Sequence, residues 1–154
     1  MASVITKPLS IHTESRPFRH PKANIQVFHC FNALNDLSEL ESDECEIRSL
    51  KMPCSVMTRE VFLLRAFEAG ADAVVVLVCP ESQCDYLEGS LRARKRVERI
   101  KIILDEVGIG SQRLNIYNIS RQDLSEAQKI VQRTIRDIET LGRNPAAESK
   151  TELN

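Results

Sequence analysis

Five cysteines, Cys30, Cys45, Cys54, Cys79 and Cys84, are the side chains of this sequence best suited to chemistry. Thiolates are soft ligands for zinc, copper(I) and iron–sulfur centres. Activated by their surroundings they are redox nucleophiles, and left alone they are small buried hydrophobes. The odd count, together with the lack of an apolar leader near the N-terminus, weighs against a secreted disulfide framework. The expectation is a cytoplasmic, reducing setting in which the thiols are core residues, ligands or redox groups. Cys79-x4-Cys84 is longer than a zinc-knuckle spacing and occurs in plant-type 2Fe–2S patterns within a denser set. The C-x-x-C spacing of thioredoxin-like dithiols is absent.

Other chemistries are excluded by what the chain lacks. It has no G-x-G-x-x-G after a strand, no P-loop, no H-E-x-x-H and no G-x-S-x-G. Asp72 and Asp85 have no evident acid–base partner, so no self-contained active site is encoded. With 21 basic against 22 acidic residues the net charge is −1, which gives no electrostatic footprint for nucleic acid. Aromatics make up 5% and tryptophan is absent, so a base-stacking platform is excluded as well. The composition, 42% apolar and 28% charged over 154 residues, is that of one globular domain. No stretch approaches the roughly 20 apolar residues that cross a bilayer, so direct membrane insertion is not expected.

The thiols need a scaffold, and the pattern alternates strand and helix four times. Strands are expected at Asn24–His29, Glu46–Met52, Ala73–Val78 and Leu114–Ile119. The third, AVVVLV, is a β-branched run suited to a central strand buried on both faces. A short helix is expected over Asn32–Leu40, from Leu34, Leu37 and Leu40. A second is expected over Arg59–Ala69, capped by Thr58, with Val61, Leu64, Ala66 and Phe67 inward and Gly70 as its C-cap. A third runs from about Glu88 to Val107 with Val97, Ile100, Leu104 and Val107 as its stripe. The last, Arg121–Leu141, is capped by Ser120 and buries Leu124, Ala127, Val131, Ile135 and Ile138. Such alternation implies right-handed βαβ units, hence an α/β fold with a parallel sheet of about four strands and helices on both faces. Residues 1–23 read as a flexible or partner-bound arm, 24–142 as the domain and 143–154 as a flexible tail.

On that scaffold Cys30 directly follows the first strand, Cys54 lies two residues beyond the second, Cys79 directly follows the third, and Cys84 lies in the next loop. All four fall at the carboxyl edge of the sheet, where such folds bind ligands; only Cys45 falls at the opposite end. Convergence from separate loops is what a cysteine-ligated metal centre requires, with zinc and iron not distinguished by the ligands alone. His29 could join such a site, but strand alternation favours an ordinary strand-end histidine. The run RARKRVERIK at 92–101 reads as a solvated helix face with Arg94–Glu98 and Lys101–Asp105 pairs. Arg92, Arg96 and Arg99 form a stripe able to dock an acidic partner.

Several strings carry a resemblance: MPCS at 52–55, FEAGADAVVVLVC at 67–79, CPESQCDYLEG at 79–89 and RARKRVERIKIILDEVGI at 92–109. Over roughly residues 24–142 the chain resembles the delta subunit of methyl-viologen-reducing hydrogenase. The resemblance implies an iron–sulfur subunit with a 2Fe–2S cluster, relaying electrons to the flavoprotein subunit of a heterodisulfide-reductase-like complex. The donor module would be a hydrogenase, formate dehydrogenase or similar subunit, in anaerobic metabolism that often uses flavin-based electron bifurcation. Carried over, the matching family cysteines are Cys30, Cys54, Cys79 and Cys84. The chain departs from the family at His29 and Ala33, where cysteines are common, and at Val56, where glycine is usual.

The expectation is therefore a non-catalytic electron-transfer subunit of a hetero-oligomer, with the four cysteines on a 2Fe–2S cluster. The alternative is a structural adaptor of the same fold, cluster-free or stapled by zinc, that holds its neighbours through the arm and the arginine stripe.

Overall fold

The structure, a computed structural model, describes residues 22–147 apart from 39 and 41. Four strands, β1 (Ala23–Cys30), β2 (Cys45–Met52), β3 (Ala73–Val78) and β4 (Leu114–Asn118), form one sheet. Every pairing is parallel, and the order is β2-β1-β3-β4. Three helices complete the fold: α1 (Glu60–Glu68), α2 (Gly89–Glu106) and α3 (Leu124–Leu141). The α/β expectation is met, with strand ends within one residue of those read from the sequence.

β3 is buried along its whole length, as its β-branched run requires. Phe28, Val74, Val76 and Val78 pack on one face with Leu63 and Phe67 of α1 and Ala93, Val97, Ile100 and Leu104 of α2. Ile25, Val27, Val75 and Leu77 pack on the other face with Ala127, Ile130, Val131, Ile135 and Ile138 of α3. β2 is an edge strand whose middle is largely exposed, which is why its alternation is mixed. Among the described residues no helix is long and apolar enough to cross a membrane.

Several local expectations are corrected. The described residues of 32–40 form turns and irregular backbone rather than a helix, although Leu34, Leu37 and Leu40 are buried. Ala33 and Leu34 N–H both donate to the Cys30 carbonyl, and Asp36 accepts from the backbone and hydroxyl of Ser38. Such local polar bonds compete with a short helix whose nucleation is already costly. The N-cap of α1 is Arg59, because the Thr58 hydroxyl points to the Met52 sulfur. Val61 is exposed because α1 presents Leu63 and Phe67 to the sheet, and Val107 is exposed because it lies past the last turn of α2. α3 starts three residues later than expected. Gln122 adopts a left-handed backbone, φ 58°, that interrupts the helix, and Asp123 caps it by accepting from Glu126 N–H.

The arm read over 1–23 falls outside the described residues except for Lys22 and Ala23, the latter already in β1. The stretch read as a tail from 143 onward is packed as far as it is described. Asn144 is fully buried, donating its side-chain amide to the Phe67 and Ala71 carbonyls and its N–H to Asp72. Asp72, also fully buried, accepts from Asn24 N–H as well and pairs with Arg143 at 3.1 Å. Arg113 donates to the carbonyls of Asp72, Leu141, Gly142 and Arg143, tying the end of α3 to the amino edge of the sheet. Asp72→Ala should cost about 3 kcal/mol, since it leaves buried N–H groups without an acceptor. Urea unfolding of the metal-free protein measures this, and an unchanged midpoint would contradict it.

Candidate metal centre at the carboxyl edge

The order β2-β1-β3-β4 places the topological switch between β1 and β3, where doubly wound sheets open a crevice beyond their carboxyl ends. The chain leaves β1 toward the α3 face through the turns that bury Leu34, and leaves β3 toward α2 on the other face. Cys30 ends β1 and Cys79 directly follows β3, so the two flank this crevice. The Phe31 N–H bond to the Met52 carbonyl extends the β1–β2 ladder and brings the Cys54 loop alongside.

Cys54 precedes a 3-10 turn at Ser55–Met57 and caps it, its sulfur accepting from Val56 N–H at 3.5 Å. Arg96 of α2 holds this turn by donating to the Val56 and Thr58 carbonyls and lying 3.8 Å from Glu60. Cys84 follows another 3-10 turn, Glu81–Gln83. Leu87, left-handed at φ 57°, donates to the Cys84 carbonyl and folds the loop back toward Gly89, the first residue of α2. Arg121 pairs with Asp85 and fastens this loop to the segment before α3. Asn118 fixes the Cys79 backbone by donating to its carbonyl at 2.9 Å.

Cys30, Cys54, Cys79 and Cys84 are all buried free thiols. Burial pushes Cys79 up to about 12, reinforced by Cys30 and by hydrogen bonding with Cys84 and Cys30. Cys54 is also raised, by burial first and against the Val56 N–H bond, with Cys30 and Cys84 close enough to add to the rise. Burial raises Cys84 too, but N–H groups of Ser90, Tyr86 and Gly89 outweigh it, and its net shift is downward. That sulfur lies before the amino end of α2, where unpaired N–H groups and the helix dipole favour negative charge. Gly89 makes the approach feasible. A Cβ there would lie 2.8 Å from Cys54 Sγ, 3.2 Å from Cys84 Sγ and 3.0 Å from Ser55 Oγ.

The four cysteines singled out in the sequence are thus brought to one edge, and Cys45 lies at the opposite end of β2. Among the described residues, no three His, Cys, Asp or Glu side chains are drawn tightly enough together to hold a metal ion. Cys79 neighbours both Cys30 and Cys84, and the Cys54 and Cys84 sulfurs flank Gly89. His29 is buried and its Nδ1 lies 3.0 Å from the Leu34 carbonyl. A carbonyl only accepts, so Nδ1 carries the proton and the ring is turned to that loop. Ala33 is fully buried, its N–H donating to the Cys30 carbonyl.

The arginine stripe is largely engaged within the chain. Arg92 pairs with Glu88 at 2.8 Å, Arg96 holds the Cys54 turn, and Arg99 lies 3.6 Å from Glu60. Arg94 turns to Glu81 and Asn118 rather than to Glu98, because the loop after β3 passes beside it. Asp105 accepts from Ser111 N–H instead of pairing with Lys101. Ser55, Gly89 and Ser90 are parts of the site that sequence reasoning misses, and Arg96, read there as a docking residue, holds the Cys54 turn. A glycine opening an 18-residue helix is the available signal.

The molecule is thus a parallel α/β domain with four buried free cysteines at the switch-point edge of its sheet. A family model described as methyl-viologen-reducing hydrogenase, delta subunit, matches residues 29–142, and the chain belongs to that family. It is 35% identical over 99 residues to the vhu iron-sulfur subunit of the F420-non-reducing hydrogenase of Methanocaldococcus jannaschii, covering 64% of this chain and 74% of that one. With the corresponding protein of Methanococcus voltae the identity is 30% over 126 residues, 79% of this chain and 94% of that one. The chain is also 29% identical over 96 residues to one subunit of the ferredoxin/F420H2-dependent CoB-CoM heterodisulfide reductase of Methanosarcina acetivorans, covering 62% of this chain but 12% of that protein.

The opposed shifts of Cys84 and Cys79 make a prediction for the metal-free protein. The thiolate is the species that is alkylated, so Cys84 should react with iodoacetamide at lower pH than Cys79. Site-resolved mass spectrometry across a pH series reads the order, and equal pH profiles would contradict it.

Proposed function

We propose that this protein is an electron-transfer subunit in which Cys30, Cys54, Cys79 and Cys84 hold a 2Fe–2S cluster. It would relay electrons between a donor module, a hydrogenase, formate dehydrogenase or similar subunit, and the flavoprotein subunit of a heterodisulfide-reductase-like complex. The observation that carries this reading is the gathering of four buried thiols from three loops at the β1–β3 crevice. Four cysteine thiolates are the usual ligand set for such a cluster. The names of the relatives support it: several are iron-sulfur subunits of hydrogenases, and another belongs to a heterodisulfide reductase. A cytoplasmic, hetero-oligomeric setting in anaerobic metabolism with electron bifurcation belongs to the same reading.

Bound there, the cluster would store and release single electrons. The chain's own part is to supply ligands and shape their surroundings. Burial of Cys30 and Cys79, each about 1% exposed, keeps water from the sulfurs. A thiol whose ionisation burial opposes, as at Cys79, becomes a thiolate once a bound cation offsets that cost. The N–H groups at the start of α2 favour the charge on Cys84, and the Val56 N–H does the same for Cys54. Hydrogen bonds to sulfur and burial are the means by which a protein sets a cluster's potential.

Anaerobic isolation followed by iron and acid-labile sulfide determination tests the reading. About two of each per chain are expected, with a rhombic S = 1/2 EPR signal after dithionite reduction. Cys79→Ser should abolish the signal and Cys45→Ser should leave it intact. Gly89→Ala should remove most of the iron while the circular dichroism stays unchanged, because its Cβ would sit 2.8 Å from Cys54 Sγ. Iron-free protein would overturn the reading and leave a structural adaptor.

A further inference from the structure

Two hydroxyls at this edge are buried without a hydrogen-bond partner, Ser55 Oγ and Ser90 Oγ. Ser55 is 0% exposed and Ser90 1% exposed, so water does not satisfy them from outside. A buried hydroxyl left unpaired forfeits its hydration with nothing in return, and native structures seldom keep such groups without a reason. Ser55 Oγ lies beside the Cys54 and Cys84 sulfurs, and Ser90 joins the cysteine site through its backbone. Ser55 follows Cys54, and its Oγ lies 3.0 Å from the point, a Cβ on Gly89, that is also 2.8 Å from Cys54 Sγ and 3.2 Å from Cys84 Sγ. The hydroxyl is near enough to the Cys54 sulfur to favour its thiolate, yet no aligned hydrogen bond joins the two. Ser90 is the second residue of α2, and its backbone N–H already faces Cys84 Sγ. Helical side chains tilt toward the amino end, which directs the Ser90 hydroxyl toward the same loop.

We infer that the Ser55 and Ser90 hydroxyls are hydrogen-bond donors to the sulfurs of the bound cluster and raise its reduction potential. This rests on the proposed function above. Reduction adds negative charge to the cluster and its sulfurs, and a donor aimed at sulfur is worth more to the reduced form than to the oxidised one. Both serines are positioning residues: they hold no iron, and each serine's oxygen keeps its proton throughout.

The test is the midpoint potential of the iron-loaded full chain, followed by EPR during a dithionite titration, for wild type, Ser55→Ala and Ser90→Ala. Each alanine variant should lower the equilibrium constant for reduction about tenfold, which for a one-electron couple is about 59 mV. Resonance Raman spectra should show iron–sulfur stretching bands that shift in D2O for the wild type and shift less in each variant. A cluster with an unchanged potential in either variant overturns the assignment for that hydroxyl. If an alanine variant folds but takes up no iron, the threonine variant, which keeps the hydroxyl, should restore uptake; failure to do so also overturns it. Wild-type protein that binds no iron defeats the electron-transfer reading and this assignment with it, and the two failures are told apart by the wild-type iron content alone.

Discussion

β1 and β3 lie side by side in the sheet, but the chain leaves them toward opposite faces, and the crevice between those exits is the constraint on which the carboxyl edge depends. Into it the fold places four sulfurs, and burial opposes ionisation at Cys54 and most strongly at Cys79. Several buried thiolates cannot stand close together without positive charge among them. The arrangement is costly as an ionised metal-free site. The surrounding architecture keeps the sulfurs in place: Arg96 holds the Cys54 turn, Asn118 the Cys79 backbone, and the Arg121–Asp85 pair the Cys84 loop.

The two ends of the sheet do different work. At the amino edge Asp72, Arg113 and Asn144 form a buried polar network that fastens the chain beyond α3 to β1 and β3. At the carboxyl edge polar groups are left open, with Ser55 and Ser90 unpaired among the thiols. The carboxyl edge is the more open socket, although Asn24 Oδ1 at the amino edge is also buried without a partner. Exposed Phe31, Met57, Tyr86 and Leu87 border that socket, so the edge also carries much of the apolar surface of the domain.

Much of this is legible in the sequence because it depends on strand ends. The AVVVLV run and the strand–helix alternation define a parallel sheet, and in a parallel sheet a cysteine after any strand arrives at one edge. Local rules fail where a distant residue decides the outcome. Helical spacing pairs Arg94 with Glu98, yet the loop after β3 brings Glu81 and Asn118 to it. Thr58 and Ser120 are good caps by type, but the Met52 sulfur engages one and the left-handed Gln122 sets the start of α3 beyond the other. The 32–40 leucines have helical spacing and are buried, but from turns. Composition marks 143 onward as a tail, whereas Asn144 is held by groups over seventy positions earlier in the chain. Ser55 and Ser90 are not legible, since nothing in a serine's neighbours along the chain reports that its hydroxyl is buried unpaired.

The central claim is that one iron–sulfur cluster is shared by Cys30, Cys54, Cys79 and Cys84. Anomalous diffraction at the iron absorption edge, from crystals of anaerobically purified protein, tests it most directly. The account predicts a pair of adjacent iron peaks in the β1–β3 crevice with each of these four sulfurs bound to one of them. A crevice without iron, a zinc ion in its place, or iron ligated by Cys45 would contradict it.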